Sequence, residues 1–491
     1  MALTIVQQPL NMVPAGIFTT DSQFHRIPAG QQLIFAVSDD TIVAHKYKVK
    51  FVAEVHISGG AINLSNTNDR IGTFKTTPNN AGVGIFDLRP VLETFVKPDN
   101  DAPLGSSYKL EQQRSLDFPL HLIDRFAMPR NVAQFFAIKF YVEYSDDPNG
   151  EVVTTADTNF ITSNSWLMFN GVLQPDDALT LKKGNYGYDL IRFTFYDGNA
   201  LQFLSNAPAT QYARLTDYGT IPFFNMTGEG TFGQVFPVGI DYSIYEFFEA
   251  DGSAISSFQV NNSVGTGGLD IASSSLIKEF SDLMIMYAAM GPANLRQHNT
   301  GMEALFAGGT VAYYTIQLRN DEGDYSAKTT VNIICPNLKG YEGIRLTWLN
   351  QWGTWDYYTF TMKSTRTTST KRIPYQQQGG TWNESKFKIK GWKGGKKNFR
   401  VNSTEKIKIN TDFVTEEEGV WFEELINSPE VYIVNEYDAT EVSPYDTITN
   451  KYIEPVVLTT SSYVKKTIAN DRLMQYTFEI EKSKMQRTQA V

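Results

Sequence analysis

Alternation of hydrophobic and polar residues is the dominant pattern of this chain, and it predicts β-strands. Along residues 47–57, apolar side chains occupy nearly every second position, which places one face of a strand on a core. The same period of two recurs at several later places, namely 136–144, 242–248, 311–319 and 344–349. We therefore predict that these segments are strands.

Turn-forming residues separate the predicted strands. Gly59-Gly60 follows the first, the cluster from Asp146 to Gly150 follows the second, and Asp251-Gly252 follows the third. Clusters of this kind are typical of hairpin turns. They predict a mainly β chain, built from several antiparallel β-sandwich modules of immunoglobulin or fibronectin type with a few short helices.

Changes in composition suggest three domains, with boundaries near Gly150 and Pro336. The predicted parts are an N-terminal β-sandwich with one short helix (1–150), a middle β-rich domain (151–335) and a C-terminal β domain rich in aromatic residues and lysine (336–491).

Two segments depart from the period of two and predict short helices. The first, at about 87–96, has Asp87 as its N-cap and ends before Lys97-Pro98, and its spacing places Leu92 and Phe95 in the core. The second, at about 415–427, begins with the capping box of Thr415 and Glu418. We expect it to bury four side chains, those of Trp421, Phe422, Leu425 and Ile426. The stretch 281–290 fits either a helix or a buried strand.

The composition is typical of a chain with several packed cores. Of its 491 residues, 42% are hydrophobic and 13% are aromatic, which excludes wholesale disorder. A net charge of −10 argues against a protein that coats nucleic acid with its whole surface. Cys335 is the single cysteine, so a disulfide framework is excluded, and we expect its side chain to be buried. No apolar stretch approaches the length that would predict membrane insertion.

Motifs that would carry chemistry are weak. Gly228 to Gly233 spells G-x-G-x-x-G, but strand-like residues and Pro237 follow where a dinucleotide site needs a helix, so we interpret it as a glycine loop. The five histidines are too dispersed to form a metal pair, and His56 is expected to face solvent. The acidic pairs Asp146-Asp147 and Asp176-Asp177 are interpreted as turn formers. The sequence therefore predicts no enzyme, no cofactor and no metal site.

The basic run from Lys386 to Lys408 is the most informative charge feature. It holds nine Lys or Arg residues and one acid, Glu405. Three interpretations stay open: a solvated strand pair whose lysines face outward, contact with an acidic neighbouring subunit, and contact with nucleic acid. The candidate interface patch consists of Lys386, Lys388, Lys390, Lys393, Lys396, Lys397 and Arg400.

Five of the seven tryptophans fall between Trp348 and Trp392. Two of them flank Gly353, and we interpret this segment as a hairpin whose tip is held by aromatic packing. An exposed aromatic strip would instead suit sugar stacking, so a carbohydrate-binding β-sandwich protein, either receptor-binding or accessory to glycan degradation, is the alternative. The candidate aromatic anchors are Trp352, Trp355, Trp382 and Trp392.

Several stretches resemble virion proteins of tailed phages and prophages of Bacteroidetes, including crAss-like phages. They are FVAEVHI at 51–57 with GVGIFDL at 82–88, RLTWLN at 345–350 with GTWDYYTF at 353–360, and WFEELINSPEVYI at 421–433. These motifs are structural, and no site residue is carried over from them.

The resemblance implies a non-enzymatic building block of a phage neck or tail, such as a ring, hub or adaptor present in many copies. Its implied partners are copies of itself and other virion proteins of the neck or tail, and a passing contact with DNA is compatible with this role. The implied location is the virion, assembled in the host cytoplasm.

Overall fold

The computed structural model describes residues 3–9, 25–58, 64, 68–102, 118–127, 129, 131–164, 166–173, 193, 200–225, 240–262, 285–320, 323, 325–335, 340–381, 385–436, 453–464 and 474–484. The chain divides into two compact units. Unit 1 comprises Met1–Ile333, Leu349–Asp356 and Tyr437–Asn450, and unit 2 comprises Ile334–Trp348, Tyr357–Glu436 and Lys451–Val491. The structure is mainly β with separate, mostly antiparallel sheets and few short helices, as the alternation predicts.

Twenty strands lie between Thr4 and Ile334, and only Ile334, the last residue of β20, belongs to unit 2. They are β1 (Thr4–Gln7), β2 (His25–Pro28), β3 (Ile34–Ser38), β4 (Tyr47–Ser58), β5 (Arg70–Thr76), β6 (Val83–Asp87), β7 (Asp101–Ala102), β8 (Phe118–Pro119), β9 (Phe126–Ala127), β10 (Ala133–Ser145), β11 (Val153–Thr154), β12 (Ile161–Thr162), β13 (Trp166–Phe169), β14 (Thr210–Arg214), β15 (Thr220–Phe224), β16 (Tyr242–Phe248), β17 (Ala254–Asn261), β18 (Ile285–Ala289), β19 (Tyr313–Arg319) and β20 (Thr329–Ile334). Helices in this part are α1 (Asp40–His45), α2 (Arg89–Leu92), α3 (Pro292–His298) and α4 (Thr300–Ala307), with short 3₁₀ turns at Glu93–Phe95 and Leu120–Leu122.

Two sheets form a sandwich at the start of unit 1. One has the order β1-β3-β6, and the other has the order β2-β13-β10-β4-β5, with β11 and β12 also paired to β10. A single core contains buried side chains from both sheets, including Phe35, Phe51 and Phe136. The predicted strands at 47–57 and 136–144 are confirmed as β4 and β10, which pair antiparallel with each other.

His56 is buried in this sandwich, so the prediction that it faces solvent is wrong. Residues 51–56 of β4 are buried on both faces, which the alternation of the sequence did not reveal. The His56 side chain is 1% exposed, and its Nε2 lies 2.9 Å from Glu54 Oε1. Glu54 Oε2 also accepts from Arg70 across the neighbouring strand at 3.4 Å. The imidazole is therefore accommodated by a carboxylate that is itself largely buried.

The rest of unit 1 contains further antiparallel sheets. Their orders are β14-β20-β19-β16-β17, β15-β18-β9 and β7-β8. The segment at 285–289 is strand β18, which decides between the two structures that the sequence left open. The predicted strands at 242–248 and 311–319 are confirmed as β16 and β19, although β19 begins at Tyr313.

The first predicted helix is present but short, and one of its two predicted core residues is wrong. The N-cap is Leu88, so the prediction of Asp87 at this position is wrong, although Asp87 Oδ1 accepts from the backbone N–H of Arg89 at 3.1 Å one residue earlier. Helix α2 then passes into a 3₁₀ turn after Leu92, which rotates the following side chains relative to an α-helix. Leu92 is fully buried, whereas Phe95 is 40% exposed and Val96 is buried instead.

Unit 2 is built on one large sheet. Its strands are β21 (Ile344–Leu349), β22 (Trp355–Phe360), β23 (Thr365–Gln377), β24 (Gly395–Asn410), β25 (Val431–Val434), β26 (Ile453–Leu458) and β27 (Thr477–Lys482), in the order β22-β21-β25-β26-β27-β24-β23. The last residue of β21 and the first two of β22 belong to unit 1. Cys335, just before this sheet, is exposed, so the prediction that it is buried is wrong.

Helix α5 (Glu416–Asn427) packs on this sheet. The predicted capping box is confirmed, because Thr415 Oγ1 accepts from the Glu418 backbone N–H at 3.2 Å and Glu418 Oε2 accepts from the Thr415 N–H at 2.8 Å. Trp421, Phe422 and Leu425 are buried as predicted, and Trp421 lies 4.8 Å from Trp348 between ring centroids. Ile426 is only half-buried, contrary to the prediction.

Candidate functional site

The basic run forms a long β-hairpin that extends from the sheet of unit 2. β23 and β24 pair from Thr365 opposite Lys408 to Gln377 opposite Gly395. On the other side of β24, β27 pairs only with residues 406–410. We call residues 369–403 the arm. Among the described residues, the arm strands pair only with each other.

The sequence of the arm explains why it lies in solvent. β23 reads TRTTSTKRIPYQQ, and none of its residues is buried. Threonine and other β-branched residues favour an extended strand. Both faces of this strand are polar from Thr365 to Arg372, and only Ile373 and Tyr375 add apolar groups further along, so neither face rests on an apolar core. Pro374 removes one N–H from the edge, which is common in strands at the edge of a sheet. The arm is thus an extended ribbon that its own unit does not cover.

The structure places the predicted patch on the arm and at its tip. Five of its residues are exposed, namely Lys386, Lys388, Lys393, Lys396 and Lys397, while Lys390 and Arg400 are half-buried. Lys396 and Lys397 are consecutive in β24, so they point to opposite faces of the ribbon. Positive charge is therefore present on both faces. The interpretation of an exposed strand pair with outward lysines agrees with this geometry, and it leaves the partner to be identified.

Charge is balanced at the base of the arm but not along it. At the base, Lys406 Nζ lies 3.2 Å from Glu479 Oε1, and this hydrogen bond lowers the pKa of the Glu479 carboxyl. Arg366 likewise donates to Glu342 at 2.7 Å and to Glu405 at 3.2 Å. The arm itself contains nine basic residues and one acid, a net charge of +8 within a chain of −10. The rest of the chain therefore carries −18.

Large apolar side chains are exposed beside these lysines. Ile389 is 84% exposed and Trp392 is 75% exposed, and both lie in the loop that joins β23 to β24. Phe387 and Phe399 are each more than half exposed. Lys390 Nζ lies 5.9 Å from the Trp392 ring centroid, within the range of a cation–π contact. Exposed apolar groups of this size, surrounded by charge, are typical of protein interaction sites.

Two of the four predicted aromatic anchors are core residues. Trp352 and Trp355 are buried in unit 1, where Trp352 lies 4.5 Å from Phe193 between ring centroids. Trp355 Nε1 donates to the carbonyl oxygen of Asp99 at 2.9 Å. These tryptophans pack inside the molecule, as the aromatic-tip interpretation predicts, and they are not available to a partner. Trp392 is exposed on the arm, and Trp382 lies outside the described residues.

The segment 344–360, which contains β21 and β22 and carries Trp352 and Trp355 around Gly353, is called the tryptophan hairpin. A polar network that the sequence did not reveal also fixes its tip. Asn350 Oδ1 accepts from the backbone N–H groups of Trp352 and Thr354 at 3.0 and 3.1 Å. Asn350 Nδ2 donates to Asp356 Oδ1 at 3.1 Å, and Ser205 Oγ donates to the same oxygen at 2.6 Å. Every member of the network is in unit 1 and serves to hold a turn, which is a structural role.

The sequence interpretation also missed β23 as half of the arm. A signal for it exists in the run TRTTSTKR at 365–372, where no apolar residue appears on either face of a strongly β-forming stretch. A strand with two polar faces beside a lysine-rich strand predicts a ribbon without a core. Ile373 and Tyr375 of β23 then belong to the same surface as Lys397 and Arg400, with which they are paired or adjacent.

The described residues contain no group of three or more His, Cys, Asp or Glu side chains arranged to hold a metal ion. His121 is fully buried, and burial lowers its pKa to about 3. Its Nε2 lies 2.9 Å from Asn100 Oδ1, and its ring packs edge-on against Trp355. The Gly228–Gly233 loop and the Asp176-Asp177 pair lie outside the described residues.

No helix among the described residues is long and apolar enough to cross a membrane. No protein-family model and no curated protein matches the sequence.

Proposed function

We propose that this chain is a non-enzymatic structural component of a tailed-phage virion, present in many copies as a ring, hub or adaptor of the neck or tail. Its partners are then copies of itself and other virion proteins. The observation that carries the proposal is the exposed arm, with its net charge of +8 and its apolar tip. The similarity of the motifs at 51–57, 345–360 and 421–433 to phage virion proteins supports the same role.

An exposed arm of this kind is costly unless a partner covers it. Leaving Ile389 and Trp392 in water forgoes their burial, which is worth about 1.5–3 kcal/mol for a large apolar side chain. Tryptophan and arginine also dominate the energetics of protein interfaces. In an assembly, a neighbouring subunit covers the arm. Its exposed apolar side chains are then buried, and its Trp and Arg residues contribute to the interface.

The carbohydrate-binding alternative has less support. It needs an open strip of aromatic rings on one subunit, and Trp352 and Trp355 are instead buried in the core. Among the described candidate anchors Trp392 alone is exposed, and a single ring does not make such a strip. We therefore keep the assembly role as the proposed function.

The proposal is tested by locating the protein in particles. The phage or prophage that encodes this chain is grown with a short epitope tag on it, and purified particles are examined by immunogold electron microscopy and quantitative mass spectrometry. We expect label at the neck or tail and several copies per particle. Absence of the chain from purified particles, together with binding of the isolated protein to a glycan array, would overturn the proposal in favour of the carbohydrate-binding alternative.

A further inference from the structure

A second exposed surface in unit 2 has the opposite charge to the arm. Between residues 409 and 436 the chain holds eight acidic residues and no Lys or Arg. Two of the acids, Glu416 and Glu417, are exposed in the first turn of α5. Phe413 and Val420 lie beside them in sequence, and each is more than half exposed. Because residues three and four apart share one face of a helix, Glu416, Glu417 and Val420 form one face of α5. We call these three residues, together with Phe413 two residues before the N-cap Thr415, the α5 surface.

The arm tip and the α5 surface complement each other in two ways. The tip presents lysines around Ile389 and Trp392, while the α5 surface presents glutamates around Phe413 and Val420. The glutamates also stabilise the N-terminus of α5 through the helix dipole, but that role does not require exposed apolar neighbours. Joining the two surfaces would bury apolar groups on both sides and pair charges of opposite sign at the rim.

One copy of the chain cannot make this contact with itself. The arm tip adjoins Gly395, the first residue of β24, whereas α5 begins six residues after Asn410, the last residue of β24. A strand rises about 3.3 Å per residue, so these two ends of β24 lie about 50 Å apart. The two complementary surfaces are therefore at opposite ends of the same strand, and only a second copy brings them together.

We propose that the arm of one copy docks on the α5 surface of a second copy, so that subunits associate head to tail. This inference deepens the proposed function and rests on it for the presence of many copies side by side. An interface between two different patches of the same chain repeats from subunit to subunit and produces a closed ring or an open filament. The arm would then be the element that fixes the spacing and register of neighbours.

The exposed apolar side chains at the arm tip favour a second copy of the chain over nucleic acid as the partner. Lysines alone would suit phosphate groups, and Trp392 could stack on a base. Among the described residues of the arm, Ile389 is the most exposed large apolar side chain, and it has no aromatic face with which to stack. An aliphatic side chain is buried best against another apolar surface, and Phe413 and Val420 provide one on the α5 surface.

The test uses two variants that each remove one side of the contact. In the short-arm variant, Asn-Gly replaces residues 370–403, so that Ser369 and Thr404, which are paired, are joined by a two-residue hairpin turn. In the α5 variant, Glu416→Lys and Glu417→Lys reverse the charge of the acceptor. Sedimentation velocity of the wild-type chain at low salt should show concentration-dependent oligomers, and each variant alone should remain monomeric.

Mixing the two variants gives the decisive result. The intact arm of the α5 variant can dock on the intact α5 surface of the short-arm variant, and no further contact is then possible. We expect 1:1 mixed dimers and nothing larger, whereas an arm-to-arm interface would make the α5 variant, whose arm is intact, associate with itself and would leave the short-arm variant monomeric. Self-association of the α5 variant alone would therefore overturn the inference. Monomers in the mixture, or a monomeric wild-type chain at about 100 μM, a concentration at which weak complexes form, would overturn the inference.

Charge reversal on the arm provides a second, independent variant. Lys393→Glu, Lys396→Glu and Lys397→Glu should weaken self-association by about tenfold or more, and combining them with the α5 variant in one chain should restore it, because the charges are again complementary. The matched control reverses three exposed lysines that belong to neither surface, Lys50, Lys97 and Lys484, and should associate like the wild type. Equal loss in the control would show a general charge effect and overturn the inference.

Two further measurements separate this inference from its rivals. If the short-arm variant loses binding to a fluorescent DNA duplex while it oligomerises normally, the partner is nucleic acid and the inference is overturned. If the wild-type chain forms oligomers that require the arm but is absent from particles, the proposed function fails and the docking inference stands. If short-arm chains enter particles as well as wild-type chains do, the docking inference fails and the proposed function stands.

Discussion

An alanine Cβ at Gly353 would lie 1.4 Å from the carbonyl oxygen of Asn170. Gly353 also has a φ of +73°, a backbone conformation that favours glycine. Both residues belong to unit 1, so the tip of the tryptophan hairpin lies directly against the backbone of Asn170. The close approach leaves no room for any side chain at this position.

Replacing Gly353 with alanine should therefore destabilise unit 1 strongly. We expect Gly353→Ala to lower the free energy of unfolding by about 3 kcal/mol or more, because the clash is with backbone and the φ is unfavourable. Urea unfolding followed by tryptophan fluorescence measures the change. The control is Gly391→Ala, where an added Cβ meets nothing within 4 Å, and it should unfold like the wild type. Equal unfolding midpoints for the two variants would show that the tip is not packed as described.

Leu92 and Phe95 should differ sharply in their contribution to stability. Leu92 is fully buried in the sandwich core, so Leu92→Ala should cost about 2–5 kcal/mol of unfolding free energy. Phe95, the last residue of the 3₁₀ turn, is 40% exposed, and Phe95→Ala should cost less than about 1 kcal/mol. Chemical denaturation of both variants measures the difference. A larger loss of unfolding free energy for Phe95→Ala than for Leu92→Ala would contradict the structure and show that Phe95 is buried, as the sequence alone predicts.

The comparison of Leu92 with Phe95 shows where sequence periodicity succeeds and where it fails. The period predicts the element and its buried residue Leu92, since both depend on local spacing. It assumes an α-helix throughout, and a change to three residues per turn moves the next side chain off the core. His56 is a similar case, because alternation describes one buried face and cannot reveal that a second layer covers the other.

The arm was predictable in part. The lysine-rich strand was visible as a basic run, because charge is read directly from the sequence. The pairing of the lysine-rich strand β24 with β23 extends over many residues, and no local pattern specifies such pairing. The length of the arm and the distance between the two ends of β24 follow from this pairing. The complementarity between the arm tip and the α5 surface becomes visible only when both are placed at opposite ends of β24.

The capping box of α5 should contribute a measurable part of the stability of unit 2. Thr415→Ala removes the side-chain acceptor of the Glu418 N–H and should lower the free energy of unfolding by about 1 kcal/mol. Thr415→Ser keeps the hydroxyl and serves as the control, with a loss of only a few tenths of that value. Thermal unfolding followed by circular dichroism compares them. Indistinguishable melting of the alanine and serine variants would contradict the role of the cap.

The buried His121 should make unit 1 less stable in mild acid. Its pKa is about 3 in the folded protein because of burial, compared with about 6.5 in the unfolded chain. Between these values the unfolded state binds the extra proton, so stability decreases as the pH falls from about 6.5 toward 3. At pH 5 the loss is about 2 kcal/mol for this residue.

The measurement compares the wild type with His121→Gln, which keeps a donor for Asn100 and does not titrate in this range. The difference in unfolding free energy between pH 7.5 and pH 5 should be smaller in the variant by the contribution of His121. A wild-type imidazole that becomes charged near pH 6.5 in an NMR titration of the folded protein would contradict the burial described for it.

The short-arm variant should fold as well as the complete chain. Residues 370–377 and 395–399 are exposed or half-buried, and none is buried in the core of unit 2. Removing them together with the loop deletes little apolar contact, and a two-residue turn replaces a long one, which reduces the entropy of loop closure. We expect its melting temperature to lie within about 2 °C of the wild-type value.

Phe422→Ala, which removes a buried ring from the core of unit 2, is the control that shows the assay responds to lost packing, and it should melt clearly lower. A short-arm variant that melts at as low a temperature as Phe422→Ala would mean that the arm packs on its own subunit and is not free to contact a neighbouring one.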